Sequence, residues 1–171
     1  MTVAPSIETD RLNLWPQRRA DFEAYGEFYA SERARLMGGP LDRTWSWYAF
    51  AADAGNWSLL GFGGLTIEDR ASGTALGQVA LNLPPHSPER ELGWLVFAPA
   101  EGKGVAFEAA RAMRDYPYAT LGWTTCVSFI SPDNVRSLAL AQRLGAVYDP
   151  HAESIHEERV VFRHPAPKVR A

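Results

Sequence analysis

A short apolar segment, two closely spaced glycines and an alanine-rich segment follow one another between residues 92 and 113. Leu92 to Phe97 has the length and composition of a buried strand, and Pro99 ends it because proline cannot donate to a sheet. Gly102 and Gly104 then permit backbone conformations that other residues disfavour. Val105 to Met113 has high helix propensity. This part of the sequence therefore predicts a strand, a glycine-containing loop and a helix.

The loop that leads into this helix is a candidate anion site. It would present several unpaired backbone N–H groups at one point, and the helix dipole adds to their attraction for a phosphate or pyrophosphate. The spacing is not that of a Walker loop, because no Ser or Thr follows Lys103, and the third glycine of the dinucleotide fingerprint is absent. A tight turn without a ligand is the alternative interpretation of the same residues.

Length, charge and cysteine usage narrow the class of protein. The 171 residues suggest one domain over 1–171. The net charge of −3 gives no support for a nucleic-acid or membrane partner. The single cysteine, Cys126, lies in an apolar run and is expected to be buried. With no signal-peptide pattern and no apolar run approaching 18 residues, we expect a cytoplasmic protein. Six tryptophans suit a core, a pocket or a homodimer face.

The order of predicted elements points to an α/β (α+β) fold. A central mixed, mostly antiparallel twisted sheet of about seven strands would carry helices on both faces. Pro117 should kink or end the third helix, because its ring clashes with the preceding turn. The predicted strands are 11–15, 57–67, 74–83, 89–97, 123–130, 146–149 and 159–164, and the predicted helices are 18–35, 42–54, 105–116 and 134–144.

Several short motifs occur in the order typical of one enzyme family. The chain resembles the GNAT superfamily of N-acetyltransferases, and specifically its RimJ/RimL-like branch, over nearly its whole length. The segments that carry the resemblance are Glu8–Leu12, Asn56–Trp57 followed by Gly61–Gly63, Thr74–Leu81, Glu91–Leu95, Gly102–Arg111, Ser131–Leu138 and Arg143–Gly145.

The resemblance implies acetyl-CoA as co-substrate. The family loop pattern, Gln/Arg-x-x-Gly-x-Gly/Ala, falls on Glu101, Gly104 and Ala106. Glu101 departs from the pattern, since it is neither Gln nor Arg, and a carboxylate beside a pyrophosphate is unfavourable. Backbone groups of the strand would pair with the pantetheine arm, the loop would hold the pyrophosphate with Lys103 adding charge, and the last core helix would add a contact. The implied cofactor-binding residues are Leu95, Val96, Phe97, Gly102, Lys103, Gly104, Val105, Ala106, Phe107, Asn134 and Ser137.

The resemblance also suggests catalytic residues. Glu91 is the candidate base, acting on the amine directly or through a water, although an exposed acid at the end of a strand is the alternative. Ser137 is the candidate proton donor to the leaving thiolate, because the tyrosine that many family members use falls on Ala141 here. His151 and His156 have no helical spacing and no ligand cluster around them, so we expect no metal.

The predicted function is transfer of an acetyl group from acetyl-CoA to a primary amine, in a protein N-terminus or a small molecule. A non-catalytic acyl-CoA-binding or sensor protein of the same fold is the main alternative, and an interaction domain whose glycine loop is only a turn is another. Either the acceptor pocket or the core would contain the aromatic residues Trp15, Tyr29, Trp45 and Trp57.

Overall fold

The computed structural model describes residues 4–166, which form one sheet flanked by helices. The strands are β1 (Ile7–Glu8), β2 (Leu12–Pro16), β3 (Gly64–Asp69), β4 (Ala75–Asn82), β5 (Glu91–Val96), β6 (Cys126–Ile130), β7 (Val147–Tyr148) and β8 (Val160–His164). The helices are α1 (Phe22–Ala30), α2 (Arg43–Leu60), α3 (Val105–Thr120) and α4 (Val135–Arg143), with 3-10 turns at Arg19–Asp21, Glu32–Met37 and Ala98–Ala100.

The sheet confirms the predicted mixed, mostly antiparallel architecture. Its strand order is β1-β2-β3-β4-β5-β6-β8-β7, and β5 and β6 form its parallel pair while the other neighbours are antiparallel. It has eight strands rather than about seven, because the short β1 precedes the first predicted strand. The one parallel pair needs a crossover, and α3 supplies it between β5 and β6.

Helices cover both faces of the sheet, as the sequence predicts. Leu92 of β5 packs in a core cluster with Val105, Ala109 and Met113 of α3. Leu95, three residues further along the same strand, packs in a second cluster that contains α1 and Phe50 of α2. Successive strand side chains point to opposite faces, so these two leucines anchor the two layers. Each fully buried leucine contributes roughly 1.5–3 kcal/mol.

The structure corrects one prediction about the helices and narrows another. The segment 57–67, predicted as a strand, begins inside α2, which runs to Leu60 and ends at Gly61 in a left-handed conformation with φ 80°. The strand itself is β3 and begins only at Gly64. Pro117 was predicted to kink or end α3, and it does not end the helix, which continues to Thr120. The interruption falls in the last turn, where only one backbone hydrogen bond is lost.

The parallel pair β5–β6 is the feature that positions the site. Its paired register is limited to one position, Glu91 opposite Val127. Beyond that position the strands separate, whereas β4 and β5 stay paired from Gly77–Val96 to Asn82–Glu91. The sheet is therefore open along one edge of β5. Within residues 4–166, no helix has both the length and the apolar character needed to cross a lipid bilayer.

Candidate active site

Two connected cavities lie at the place where β5 and β6 separate. The larger has a volume of about 800 Å³ and borders the glycine loop, the start of α3 and α4. The smaller, of about 240 Å³, lies over β4 and β5 and against α2. Residues from the first 3-10 region after α1, from β5 and from α4 line both cavities: Leu36, Met37, Trp94, Leu95, Asn134 and Ser137. A ligand in one cavity would therefore meet a ligand in the other.

The glycine loop forms one end of the larger cavity. Gly102 and Gly104 have φ angles of 71° and 75°, in the region that side chains disfavour, which is why glycine occupies both positions. Gly104 is the N-cap of α3 and supplies no side chain to cap the first N–H groups. The first residues of this 16-residue helix, Val105 to Phe107, line the cavity, so the positive end of the helix dipole lies beside it, as an anion site requires.

Arginines on both sides of the larger cavity converge on one acid. Glu101 accepts hydrogen bonds from Arg33 and from Arg136, each at 2.7 Å. The two guanidinium groups lower the pKa of the Glu101 carboxyl, and the hydrogen bond from Arg33 has the largest effect. Arg33 also donates to the backbone oxygen of Val96 at 3.1 Å. Glu101, the residue that departs from the family pattern, is therefore an ion-paired carboxylate at the rim of the cavity.

Most of the predicted cofactor contacts line the larger cavity, and two do not. Phe97 is buried in the core, with its ring centroid 6.3 Å from that of Phe28. Lys103 is exposed and lies outside the lining, and its backbone oxygen accepts from Arg11 at 3.0 Å. The lining does not support side-chain contacts from these two residues. Those that line it are Leu95, Val96, Gly102, Gly104, Val105, Ala106, Phe107, Asn134 and Ser137.

The floor of the smaller cavity is a row of residues on β4 and β5. The strand register places Asn82 opposite Glu91, Ala80 opposite Gly93, and Gln78 opposite Leu95. All six line the cavity, because alternate residues of paired strands share one face. A Cβ at Gly93 would meet no atom within 4 Å, so this glycine leaves the middle of the floor open.

Glu91 stands at the point where the strands begin to separate, and it lines the smaller cavity. Burial raises its pKa to about 7, while Arg159 and the backbone N–H of Phe129 act in the opposite direction. Asp53 adds to the rise by charge repulsion. The interpretation of Glu91 as an exposed acid is wrong, since the residue is half-buried. A carboxyl with a pKa near neutrality is suited to accept a proton from a substrate.

A second carboxylate, Asp53 of α2, lines the same cavity. Gln78 donates to the Oδ2 atom of Asp53 at 2.5 Å. The side-chain nitrogen of Asn82, in the amide orientation that gives hydrogen-bond partners to both its nitrogen and its oxygen, donates to Oδ1 at 3.2 Å. Burial raises the pKa of Asp53 to about 6, and the hydrogen bond from Gln78 partly offsets the rise. Sequence reasoning missed this residue. The available signal was that Asp53 is the one acid in the helix Arg43–Leu60.

The start of α4 forms the wall between the cavities. The side chain of Asn134 caps the helix by accepting from the backbone N–H of Ser137 at 3.1 Å. Both residues line both cavities, so the residue that caps the helix also faces the place where two ligands would meet. Ala141, at the position of the family tyrosine, is buried in the core and offers no proton donor.

The predicted aromatic residues divide between pocket and core. Tyr29 lines the smaller cavity, and burial raises its pKa to about 12. Trp57 is buried and donates to the backbone oxygen of Gly64 at 2.8 Å. Trp15 donates to Glu68 at 2.9 Å, and Trp45 is 63% exposed. Of the four, Tyr29 is therefore the one placed to contact an acceptor.

Residues of the metal-binding types are not assembled into a site. Within the part of the chain that the structure describes, no group of three or more His, Cys, Asp or Glu side chains is placed to hold a metal ion. Cys126 is buried, as expected, 3.7 Å from the hydroxyl of Tyr118. Burial raises its pKa to about 11, so it is a poor nucleophile.

A split sheet with a glycine loop at the start of a helix defines a class of acyl-group transferases, and comparison with known proteins agrees. Residues 11–147 match the family described as the acetyltransferase (GNAT) domain. A crystal structure of an acetyltransferase from Agrobacterium tumefaciens is 42% identical, with a TM-score of 0.92 over 95% of each chain. The chain belongs to the GNAT family of acetyltransferases.

More distant solved structures share the fold. A protein assigned to the GNAT family from Bordetella pertussis is 25% identical, with a TM-score of 0.76 over 93% of this chain and 97% of its own. The spermidine N-acetyltransferase of Vibrio cholerae, solved in complex with CoA and spermine, is 16% identical. Its TM-score is 0.71 over 91% of this chain and 94% of its own.

Proposed function

We propose that this protein transfers an acetyl group from acetyl-CoA to a primary amine, directly, in a complex that holds both substrates at once. The observation that carries the proposal is that two cavities meet beside Leu95 and Ser137, one next to an anion-binding helix start and the other next to two carboxylates. The first suits a diphosphate-containing donor, and the second suits a basic acceptor. The spermidine N-acetyltransferase of Vibrio cholerae was solved with both CoA and an amine.

The residues around the larger cavity fit the donor. Backbone N–H groups between Gly102 and Phe107 would bind the pyrophosphate, because the loop and the helix dipole both favour negative charge there. The edge of β5 at Leu95 and Val96 is not paired with β6. An amide-containing arm would bond there in competition with Arg33, which donates to the backbone oxygen of Val96. When bound, acetyl-CoA supplies an activated thioester. Lys103 and Phe97 have no support from the cavity lining as side-chain contacts.

Glu91 serves as the proton acceptor for the amine. An alkylammonium has a pKa of about 10.4 and must lose a proton before its nitrogen can attack. The raised pKa of Glu91, about 7, makes its carboxylate a better proton acceptor than an ordinary glutamate. The nitrogen then forms a bond to the thioester carbon, the carbon–sulfur bond breaks, and the sulfur takes a proton. Proton transfer of this kind typically contributes about 10²–10⁴-fold to the rate.

Ser137 is the proposed proton donor to the sulfur. It lies on the wall shared by the two cavities, where the leaving thiolate would form. Its backbone N–H is held by Asn134, which fixes the first turn of α4 beside the reaction centre. Holding two substrates in line can itself contribute roughly 7–11 kcal/mol, so we expect the serine to matter less than the geometry.

The acceptor is a small-molecule amine or a protein N-terminus, and the smaller cavity favours the small molecule. A volume of about 240 Å³ is below the range of roughly 300–1,000 Å³ typical of drug-sized ligands. The RimJ/RimL-like branch, a homodimeric partner and a cytoplasmic location stay predictions. A binding or sensor protein without turnover remains the alternative function, motivated by Glu101 and by Ala141.

The experiment is a thiol-release assay with acetyl-CoA and a panel of primary amines, including short diamines and N-terminal peptides. Turnover with at least one amine supports the proposal, and Glu91→Gln should lower kcat by about 10²-fold or more. Glu89→Gln is the matched control, because Glu89 precedes the same strand and is bound to Arg163 at 2.7 Å, outside both cavities. Tight CoA binding with no turnover on any amine would favour the sensor function. Absence of CoA binding would exclude both.

A further inference from the structure

The side chains around the smaller cavity carry more negative than positive charge. Of the described residues that line it, Arg159 is the one cation, while Asp53 and Glu91 are carboxylates. Arg159 acts on Glu91, lowering its pKa, and it donates to the backbone oxygen of Phe129 at 3.3 Å. Glu91 therefore has a cationic neighbour, and the remaining uncompensated charge is that of Asp53.

Asp53 is held by amides and not by a cation. Its hydrogen-bond donors are Gln78 and Asn82, both on the cavity floor. Gln78 is in turn fixed by Gln17, whose nitrogen donates to its oxygen at 2.8 Å. The ion pairs among the described residues do not include Asp53. The carboxylate is rigidly oriented but not neutralised, and burying such a charge is costly unless a ligand pairs with it.

The strand register places this acid beside Glu91. Asn82, which donates to Asp53, is directly opposite Glu91 on the neighbouring strand. Residues directly opposite in an antiparallel pair have Cβ atoms roughly 4.5–5.5 Å apart. The two carboxylates are thus separated by about one amide side chain, and they line the same small cavity.

From this geometry we propose that Asp53 binds a second positive group of the acceptor, so that the enzyme prefers an amine that also carries an ammonium or guanidinium group a few atoms away. The reacting amine lies at Glu91, and the second cation lies at Asp53. The inference rests on the proposed function and narrows its acceptor to a small dication. Burial raises the pKa of Asp53 only to about 6, so the carboxylate is mostly ionised at neutral pH.

The experiment compares pairs of acceptors that differ in one charge. Diamines from 1,3-diaminopropane to 1,6-diaminohexane are each assayed against the amino alcohol of the same length, because a hydroxyl keeps size and hydrogen bonding but not charge. We expect the wild-type protein to prefer one or more diamines by about 10-fold or more in kcat/KM. Asp53→Asn should remove that preference by lowering kcat/KM for the diamine about 10-fold more than for the amino alcohol, because ion pairing is lost only for the diamine, while any effect of the Asp53 charge on Glu91 is shared by both acceptors.

Two variants separate charge from structure. Asp53→Glu restores the charge and should restore a preference for diamines, with a shift in the favoured length. Asp42→Asn is the matched control on the same helix, since Asp42 caps α2 by accepting from Trp45 at 2.8 Å and asparagine caps equally well. An unchanged diamine preference in Asp53→Asn, or an equal loss in Asp42→Asn, would overturn the proposal.

A binding measurement keeps this inference distinct from the proposed function. The CoA-loaded protein is titrated calorimetrically with 1,4-diaminobutane and with 4-amino-1-butanol, which requires no turnover. In the wild-type protein, the Kd of the diamine should be about 10-fold lower than that of the amino alcohol. In Asp53→Asn the two Kd values should be equal. This result supports the role of Asp53 even if catalysis fails. Turnover without any difference between the paired ligands would remove this inference and leave the acetyltransferase proposal standing.

Discussion

The carboxylate of Glu101 lies 2.7 Å from the guanidinium of Arg33, and it also contacts Arg136 at 2.7 Å from the other side of the larger cavity. Arg33 precedes α2 and Arg136 belongs to α4, so one acid joins two walls of the proposed donor site. Both arginines line that cavity and are the type of side chain that binds phosphate groups. Glu101 therefore occupies donors that a phosphate would otherwise use.

Glu101→Gln is expected to strengthen CoA binding. The neutral amide removes a charge that repels a phosphate and releases the two arginines, so we expect Kd to fall by about 3–10-fold, as the loss of one like-charge contact implies. Isothermal titration calorimetry with CoA measures this. Glu32→Gln, an exposed acid beside Arg33, is the control for general charge effects. Weaker binding by Glu101→Gln would mean that the carboxylate instead orders the site.

The rate should depend on the ionisation of Glu91. Its carboxyl must be deprotonated to accept a proton, so kcat/KM for the amine is expected to rise as pH increases through about 7. A pH–rate profile at saturating acetyl-CoA tests this. In Glu91→Gln the inflection near 7 should disappear, leaving only the rise that belongs to the amine itself. An inflection that persists in the variant would assign it to another group.

Asp53→Asn should stabilise the protein at neutral pH and much less in acid. The folded-state pKa of Asp53 is raised from 3.8 to about 6, so the folded protein binds more protons than the unfolded chain in that window. Stability from this group is present below pH 4 and is lost as pH rises through 6. Removing the carboxyl should therefore add on the order of 1–3 kcal/mol at pH 7.5.

Thermal denaturation at pH 4.5 and pH 7.5 measures this effect. The gain in Tm of Asp53→Asn over wild type should be about 2–12 °C at pH 7.5 for a chain of this size and clearly smaller at pH 4.5. Asp42→Asn, on the same helix but outside the cavity, is the comparison. A gain that does not vary with pH would show that Asp53 carries no burial penalty.

Gly93→Leu should block the acceptor and spare the donor. Gly93 lines the smaller cavity and not the larger one, and its missing side chain faces open space. A leucine there would fill the cavity floor, so we expect loss of most turnover while the Kd for CoA stays within about twofold. Gly93→Ala should give an intermediate rate. Equal loss of CoA binding would mean that the two cavities are not separate sites.

The sequence predicted the parts of the site that depend on short-range patterns. The loop at Gly102 and Gly104 was identified because it needs a particular residue at each of two backbone positions. The short apolar run from Leu92 to Phe97 also identified β5. These features are local, so they can be read without knowing what packs against them. Glu91 was singled out by the resemblance to the GNAT superfamily and not by the strand pattern.

Other parts of the site depend on packing that sequence patterns do not contain. The run from Trp57 to Leu60 is apolar enough for a strand, but in the protein it completes α2 because Trp57 packs in the core beside α3. That error moved the end of α2, although Asp53 lay inside the predicted helix 42–54. Asp53 was missed because its importance comes from the strands opposite it. Likewise, the partners of Glu101 come from residues 68 and 35 positions away in the chain.

The single paired position between β5 and β6 has a consequence for the stability of the sheet. Backbone bonding between the two halves of the sheet stops at Glu91 and Val127, so the inner edges beyond that point lack their usual strand partner. Polar backbone groups of that kind are rarely left unsatisfied. A donor with amides along its length would act there as a surrogate strand, joining the two halves and slowing amide hydrogen exchange along β5. The enzyme is in this sense completed by its own substrate.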